Sequence, residues 1–158
     1  DRSCLALQKI YLRHNDLGDK GAAALARALA VHCGLTSLYL ESNGIGAPGA
    51  AAISLALARS ASLTELELGS NALGPPGVVL MAEALARNPS LTALGLSANR
   101  ICLEAIEDCC KAVTHALETN TNLRVLDLRG NHVTNGAFLK FPVLEVTDNR
   151  RFPLEFLW

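Results

Sequence analysis

The residues of this chain with the most obvious chemical potential are carboxylates. Glu65 and Glu67 alternate with leucines in Leu63-Thr64-Glu65-Leu66-Glu67-Leu68, so an extended backbone projects both from one face. A carboxylate pair can run general acid–base chemistry when one member sits in a desolvated setting that moves its pKa. An open sheet surface is not expected to provide that setting. The four histidines, His14, His32, His115 and His132, stand in unrelated contexts and make no triad with a nucleophile. Cys109-Cys110 with His115 lacks a zinc spacing, because adjacent cysteines on a helix diverge by about 100°. Gly18, Gly21, Gly44 and Gly46 fall in turns and form no phosphate loop after a strand. The residues therefore predict no catalytic centre, no metal, no cofactor and no small-molecule substrate.

The elements that position these groups are set by a repeat. Asparagines at 15, 43, 71 and 99 recur every 28 residues, and each closes the same phrase: Leu7–Ile10–Leu12–Asn15, Leu35–Leu38–Leu40–Asn43, Leu63–Leu66–Leu68–Asn71 and Leu91–Leu94–Leu96–Asn99. A fifth copy, Leu123–Leu126–Leu128–Asn131, follows after 32 residues, and a worn sixth, Phe141–Leu144–Val146–Asn149, after 18. A fixed period carrying this phrase marks an α/β leucine-rich repeat solenoid, here of about five to six repeats. Each phrase predicts a short strand with its paired leucines inward. Each asparagine is expected at the inward turn, its amide satisfying buried backbone groups and stacking with its copies into a ladder.

After each of the first three asparagines comes a turn ending in glycine and then a helix. Leu25, Ile53 and Met81 share one place on its apolar face, and Leu29, Leu57 and Leu85 another. Pro48, Pro75 and Pro76 fall at helix starts, where proline is tolerated. The fourth helix, about residues 103–118, absorbs four extra residues, close to one turn. Counting back from Leu123 puts Leu117, Val113 and Cys110 in the places of Leu29, Leu25 and Ala22. All four phenylalanines and the tryptophan fall within residues 138–158. Residues 134–158 are thus expected to be a degenerate last repeat and C-terminal cap over the final core layer. Asp1 to Ala6 supply no polar capping helix, so the single domain over 1–158 is expected to be a fragment of a larger protein, or to stack on a partner at that end.

Bulk numbers narrow the function. At 158 residues the chain has the length of one domain. A net charge of −1 lacks the basic footprint of a nucleic-acid binder. No apolar run approaches the ~18 residues of a membrane span, and no signal-peptide pattern opens the chain. Five cysteines, an odd number without framework spacing, and the absence of a glycosylation sequon predict a cytoplasmic protein.

The unit Leu35-Thr-Ser-Leu-Tyr-Leu-Glu-Ser-Asn43-Gly-Ile-Gly46, followed by Gly49-Ala-Ala-Ala-Ile53 and Leu57, resembles the ribonuclease-inhibitor-like class of leucine-rich repeats. It is similar in particular to the 28-residue versions in Nod-like receptors and in the GTPase-activating protein of Ran. The resemblance implies a horseshoe arc with a parallel concave sheet, helices on the convex side and protein recognition as the usual task. By analogy with the Ran regulator it also raises a GTPase-activating role, for which no residue here speaks.

On the concave face, equivalent positions of adjacent strands lie ~4.8 Å apart and form columns. The third place of the phrase gives Lys9, Ser37, Glu65, Ala93, Val125 and Val143, and the fifth gives Tyr11, Tyr39, Glu67, Gly95, Asp127 and Glu145. The seventh gives Arg13, Glu41, Gly69, Ser97, Arg129 and Thr147. Lys9, Tyr11, Arg13, Tyr39, Glu41, Glu65 and Glu67 thereby form one N-terminal patch rich in hot-spot residue types. It is the expected binding surface of a protein partner. Both tyrosines are expected to point away from the core, so their removal should leave stability unchanged. The alternative is an architectural subunit of a cytoskeletal or axonemal assembly, docked by its ends and convex helices. That reading draws on Leu55, which takes the helix place of Arg27 and Glu83.

Overall fold

The computed structural model describes residues 7–31, 34–101, 106–131 and 155–157. Strand and helix alternate: β1 Lys9–Tyr11, α1 Gly18–Leu29, β2 Ser37–Tyr39, α2 Ala47–Leu57, β3 Glu65–Glu67, α3 Gly74–Arg87, β4 Ala93–Gly95, α4 Ile106–Thr119, β5 Val125–Asp127 and β6 Glu155–Leu157. The strands pair in parallel in chain order, one repeat beside the next. The register follows the predicted columns, with Ile10, Leu38, Leu66, Leu94 and Leu126 as successive partners. The core between sheet and helices is aliphatic. Leu40, Leu57, Leu63, Leu66, Leu68 and Met81 are fully buried.

Helix α4 ends in the predicted frame: Cys110, Val113 and Leu117 are all buried, so the four-residue insertion leaves the core face intact. In the first repeat the corresponding Leu25 is only half-buried. Cys109 is buried as well, and its thiol reaches the Pro75 carbonyl at 3.7 Å. Pro48 and Pro75 stand in the first turns of α2 and α3, as expected.

The asparagine ladder spans the middle of the stack. The Asn71 amide nitrogen donates to the carbonyls of Leu40 and Leu68, each at 2.9 Å, and to that of Gly69 at 3.3 Å. Its carbonyl oxygen accepts the backbone amides of Asn43 and Ile45, both at 3.0 Å. Asn43, Asn99 and Asn131 repeat parts of this pattern. Asn15 is exposed and, among the described residues, its amide bonds the nearby carbonyls of Leu12 and Arg13 alone, so the ladder's first rung carries no buried load there. The residue before each asparagine, His14, Ser42, Ser70, Ala98 or Gly130, has φ between 50° and 67°.

A second ladder was not anticipated. It lies at the opposite turn, where each helix returns to the next strand. The Asn88 amide donates to Leu57 O at 2.6 Å and Ser60 O at 2.9 Å, and its oxygen accepts the amides of Ser90 and Leu91. Asn120 does the same one repeat later, donating to Leu85 O and Asn88 O. Threonines form a third series: the hydroxyls of Thr36, Thr64 and Thr92 donate to the carbonyls of Gln8, Thr36 and Thr64, each at 3.0 Å. Helix α2 begins at Gly46 without a side-chain cap of its own. Asp19 of α1 supplies one, accepting the Gly46 and Gly49 amides at 2.8 and 2.9 Å. Gly49 must be glycine for this, since a Cβ there would stand 2.6 Å from Ile45 Cγ2 and 2.7 Å from Asp19 Oδ1.

The end of the sheet differs from the expected one. The strand beside β5 is Glu155–Leu157, with Phe156 opposite Leu126. Glu155 and Leu157 therefore take the column places that the sixth phrase assigned to Val143 and Glu145. That phrase, its Asn149, and most of the aromatic tail lie outside the described residues.

Candidate partner-binding surface

Strand pairing sets the geometry of the patch. Tyr11 and Tyr39 are register partners on adjacent strands, one strand spacing apart. Their rings accordingly stack with centroids 4.6 Å apart and planes 2° from parallel. Arg13, two residues on, folds back so that its guanidinium carbon lies 4.5 Å from the Tyr39 ring centroid and 6.0 Å from that of Tyr11. Its Nε pairs with Glu41 Oε1 at 2.6 Å. The Tyr39 hydroxyl donates to Glu65 Oε2 at 2.5 Å. That bond, reinforced by burial, pushes the Tyr39 pKa up to about 12.

The two tyrosines are therefore unequal. Tyr11 is 61% exposed at the edge of the sheet, whereas Tyr39 is 8% exposed, covered by Tyr11, Arg13 and Glu65. The expectation that both lie free of packing is corrected for Tyr39. Alternation along its own strand points it outward correctly, but side chains of neighbouring strands then bury it.

The second correction concerns desolvation. Gly95 follows Glu67 in its column, and a Cβ at Gly95 would overlap the Glu67 carboxylate. The missing side chain lets Glu67 lie down against the sheet. Burial, followed by the negative charges of Glu41, Asp127 and Glu65, raises the Glu67 carboxyl to about 7, against the pull of Arg13. An open sheet thus supplies the desolvated carboxyl that it was expected to lack. Glu41 adds to the crowding of charge, and its own Oε2 is buried with no hydrogen-bond partner among the described residues.

Beyond Gly95 the column continues to Asp127, buried and paired with Arg129 through Nη2 to Oδ2 at 2.8 Å and Nε to Oδ1 at 3.0 Å. Burial raises the Asp127 carboxyl, and the Arg129 bonds outweigh it, leaving the group below its usual range. Asp127 and Arg129 were legible as column members but were not placed in the patch. The structure joins them to it across the gap at Gly95. Lys9 stands exposed on β1 and joins no ion pair among the described residues. The assembled surface is a stacked aromatic pair under one cation, bordered by four carboxylates and closed by a second cation. Such a surface, with an exposed aromatic ring beside charges of both signs, suits recognition of a protein.

Among the described residues, no group of three His, Cys, Asp or Glu is arranged to hold a metal, and no helix is long and apolar enough to cross a membrane. The family model for the Leucine Rich repeat matches residues 3–26, 32–54, 59–82 and 119–137, together more than half of the chain. It passes over the segment that carries the enlarged fourth helix. The fold is similar to that of actin-binding site 2 of leiomodin-1, with a TM-score of 0.72 and 20% identity, over 90% of this chain and 79% of that one. It is also similar to the tropomodulin C-terminal domain from Caenorhabditis elegans, with a TM-score of 0.73 and 16% identity, over 93% of this chain and 90% of that one. No curated protein matches the chain in sequence.

Proposed function

Because the chain belongs to the leucine-rich repeat family, we propose that it is a non-catalytic interaction module that binds a protein partner through its concave sheet and rim. The contact residues are Lys9, Tyr11, Arg13, Tyr39, Glu41, Glu65 and Glu67. The observation that carries this reading is the stack of Tyr11 on Tyr39 with Arg13 over the rings. Tyr and Arg dominate binding hot spots, and here the supporting ring and the cation are already held in place. The side-chain ordering that association usually costs is thereby reduced. We assign the repeats to the ribonuclease-inhibitor-like subtype with 28-residue units, supported by the 28-residue step between register partners from β1 to β4. The reading places the chain in the cytoplasm as one domain, closed at its C-terminal end by residues 134–158.

Actin is the first partner to test, since one similar structure is named as an actin-binding site. Co-sedimentation with filamentous actin, and affinity capture from a cytoplasmic extract, should both be run with wild type and Tyr11→Ala. Tyr11→Ala should weaken the interaction by roughly 2 kcal/mol, about 30-fold, at unchanged melting temperature. A partner bound equally by both proteins would reject the concave surface. The architectural reading, docking by the convex helices, is favoured by Leu55, which is 68% exposed. Leu55→Glu should abolish binding if that reading holds.

A further inference from the structure

The helix side carries a feature that the concave surface does not use. Helices α1 and α2 face each other with alanines, and between them runs a groove of about 280 Å³ lined by Ala26, Ala30, Ala52 and Leu55 together with Arg27 and Arg59. Both arginines are exposed, and neither forms an ion pair among the described residues. Val31, just past the end of α1, is 79% exposed and lines the adjoining depression with Ala30 and Arg59. A single exposed leucine is ordinary on a protein surface. Leu55 differs because it borders an alanine floor between two uncompensated guanidiniums, in a helix place that is charged in both neighbouring repeats.

We propose that this groove docks a short amphipathic helix of a partner protein, with aliphatic residues on Leu55 and the alanine floor and flanking Asp or Glu on Arg27 and Arg59. The groove walls are helices whose backbone groups bond internally, so no strand edge is offered for β-augmentation. The lining holds no aromatic residue for a polyproline segment, and an apolar floor between helices suits the apolar face of a helix. The two arginines select carboxylates, which they bind with paired donors. A flat bilayer fits less well, because the apolar floor lies between the helices and the cations stand beside it.

The test uses fluorescein-labelled synthetic helices with a Leu/Ala stripe flanked by Glu, and a control with Lys in place of each Glu, followed by fluorescence anisotropy at low salt. The Glu peptide should bind, and the Lys peptide at least tenfold more weakly. Leu55→Glu, and separately Arg27→Glu with Arg59→Glu, should each cost tenfold or more, with Leu55→Ser as a milder second variant at the first site. Tyr11→Ala should bind the peptide as wild type does, which separates this groove from the concave surface. No binding of the Glu peptide up to about 1 mM, equal binding of the two peptides, or binding that survives both Leu55 variants overturns the proposal. So would retention on phosphatidylserine vesicles without preference between peptides, or a dimer in sedimentation velocity that Leu55→Glu dissolves.

Discussion

Replacing Glu67 by glutamine should make the protein more stable at alkaline pH and flatten its pH dependence. The glutamine keeps the shape of the side chain against Gly95 and removes the charge that burial and three neighbouring carboxylates oppose. In the folded chain the carboxyl ionises near 7, against an ordinary 4.5. The folded state therefore holds the proton more tightly than the unfolded one. The associated stability is fully present below pH 4.5 and is lost as pH rises through about 7. Each pKa unit corresponds to about 1.4 kcal/mol, which bounds the effect at roughly 3 kcal/mol. Glu67 still reaches solvent, so screening should reduce this to about 1–2 kcal/mol.

Urea denaturation of wild type and Glu67→Gln at pH 5, 6, 7 and 8 measures the difference directly. Groups remote from Glu67 contribute alike to both proteins and cancel in the difference. The difference should be small at pH 5 and favour the variant by about 1–2 kcal/mol at pH 8. A difference independent of pH, or a variant less stable than wild type at every pH, would show that Glu67 is solvated and ionised throughout. The concave face would then not be a crowded, desolvating surface.

Two further outcomes test the packing. Asn71→Ala and Asn88→Ala should each destabilise by about 1–3 kcal/mol, because each strands buried backbone groups at opposite turns of the stack. Chemical denaturation within error of wild type at either position would remove that ladder from the account. Tyr39→Ala should lower stability by about 2–4 kcal/mol and Tyr11→Ala by less than about 0.5. Equal melting temperatures of the two variants would mean that Tyr39 is not covered.

What was legible in the chain, and what was not, divides along a physical line. The strand register and the core faces of the helices could be read because leucine spacing dictates them one segment at a time. Cys110, Val113 and Leu117 could be placed across the insertion by counting alone. The Asn88–Asn120 ladder has the same spacing, 32 residues, as the fifth phrase has from the fourth. It was overlooked because its preceding members are Ser60 and His32 and its residues resemble ordinary turn punctuation. The strand at Glu155–Leu157 lies in Pro153-Leu-Glu-Phe-Leu-Trp158, where aromatic residues and proline replace the leucine phrase.

The candidate site exposes the deeper limit. Alternation within one strand predicts direction, and direction was right for Tyr39 and for Glu67. Burial and pKa depend on what stands ~4.8 Å to either side in the column. Tyr39 is covered because Tyr11 precedes it and Arg13 can fold over it. Glu67 is desolvated because the next member of its column is a glycine. A column read as a list of exposed residues hides this, whereas a column read as neighbouring volumes reveals it. An aromatic followed by an aromatic will stack, and a long carboxylate followed by glycine will lie down. On such a sheet the empty place is as informative as the occupied one, and Gly95 shapes the acidic half of the surface as much as any of its carboxylates.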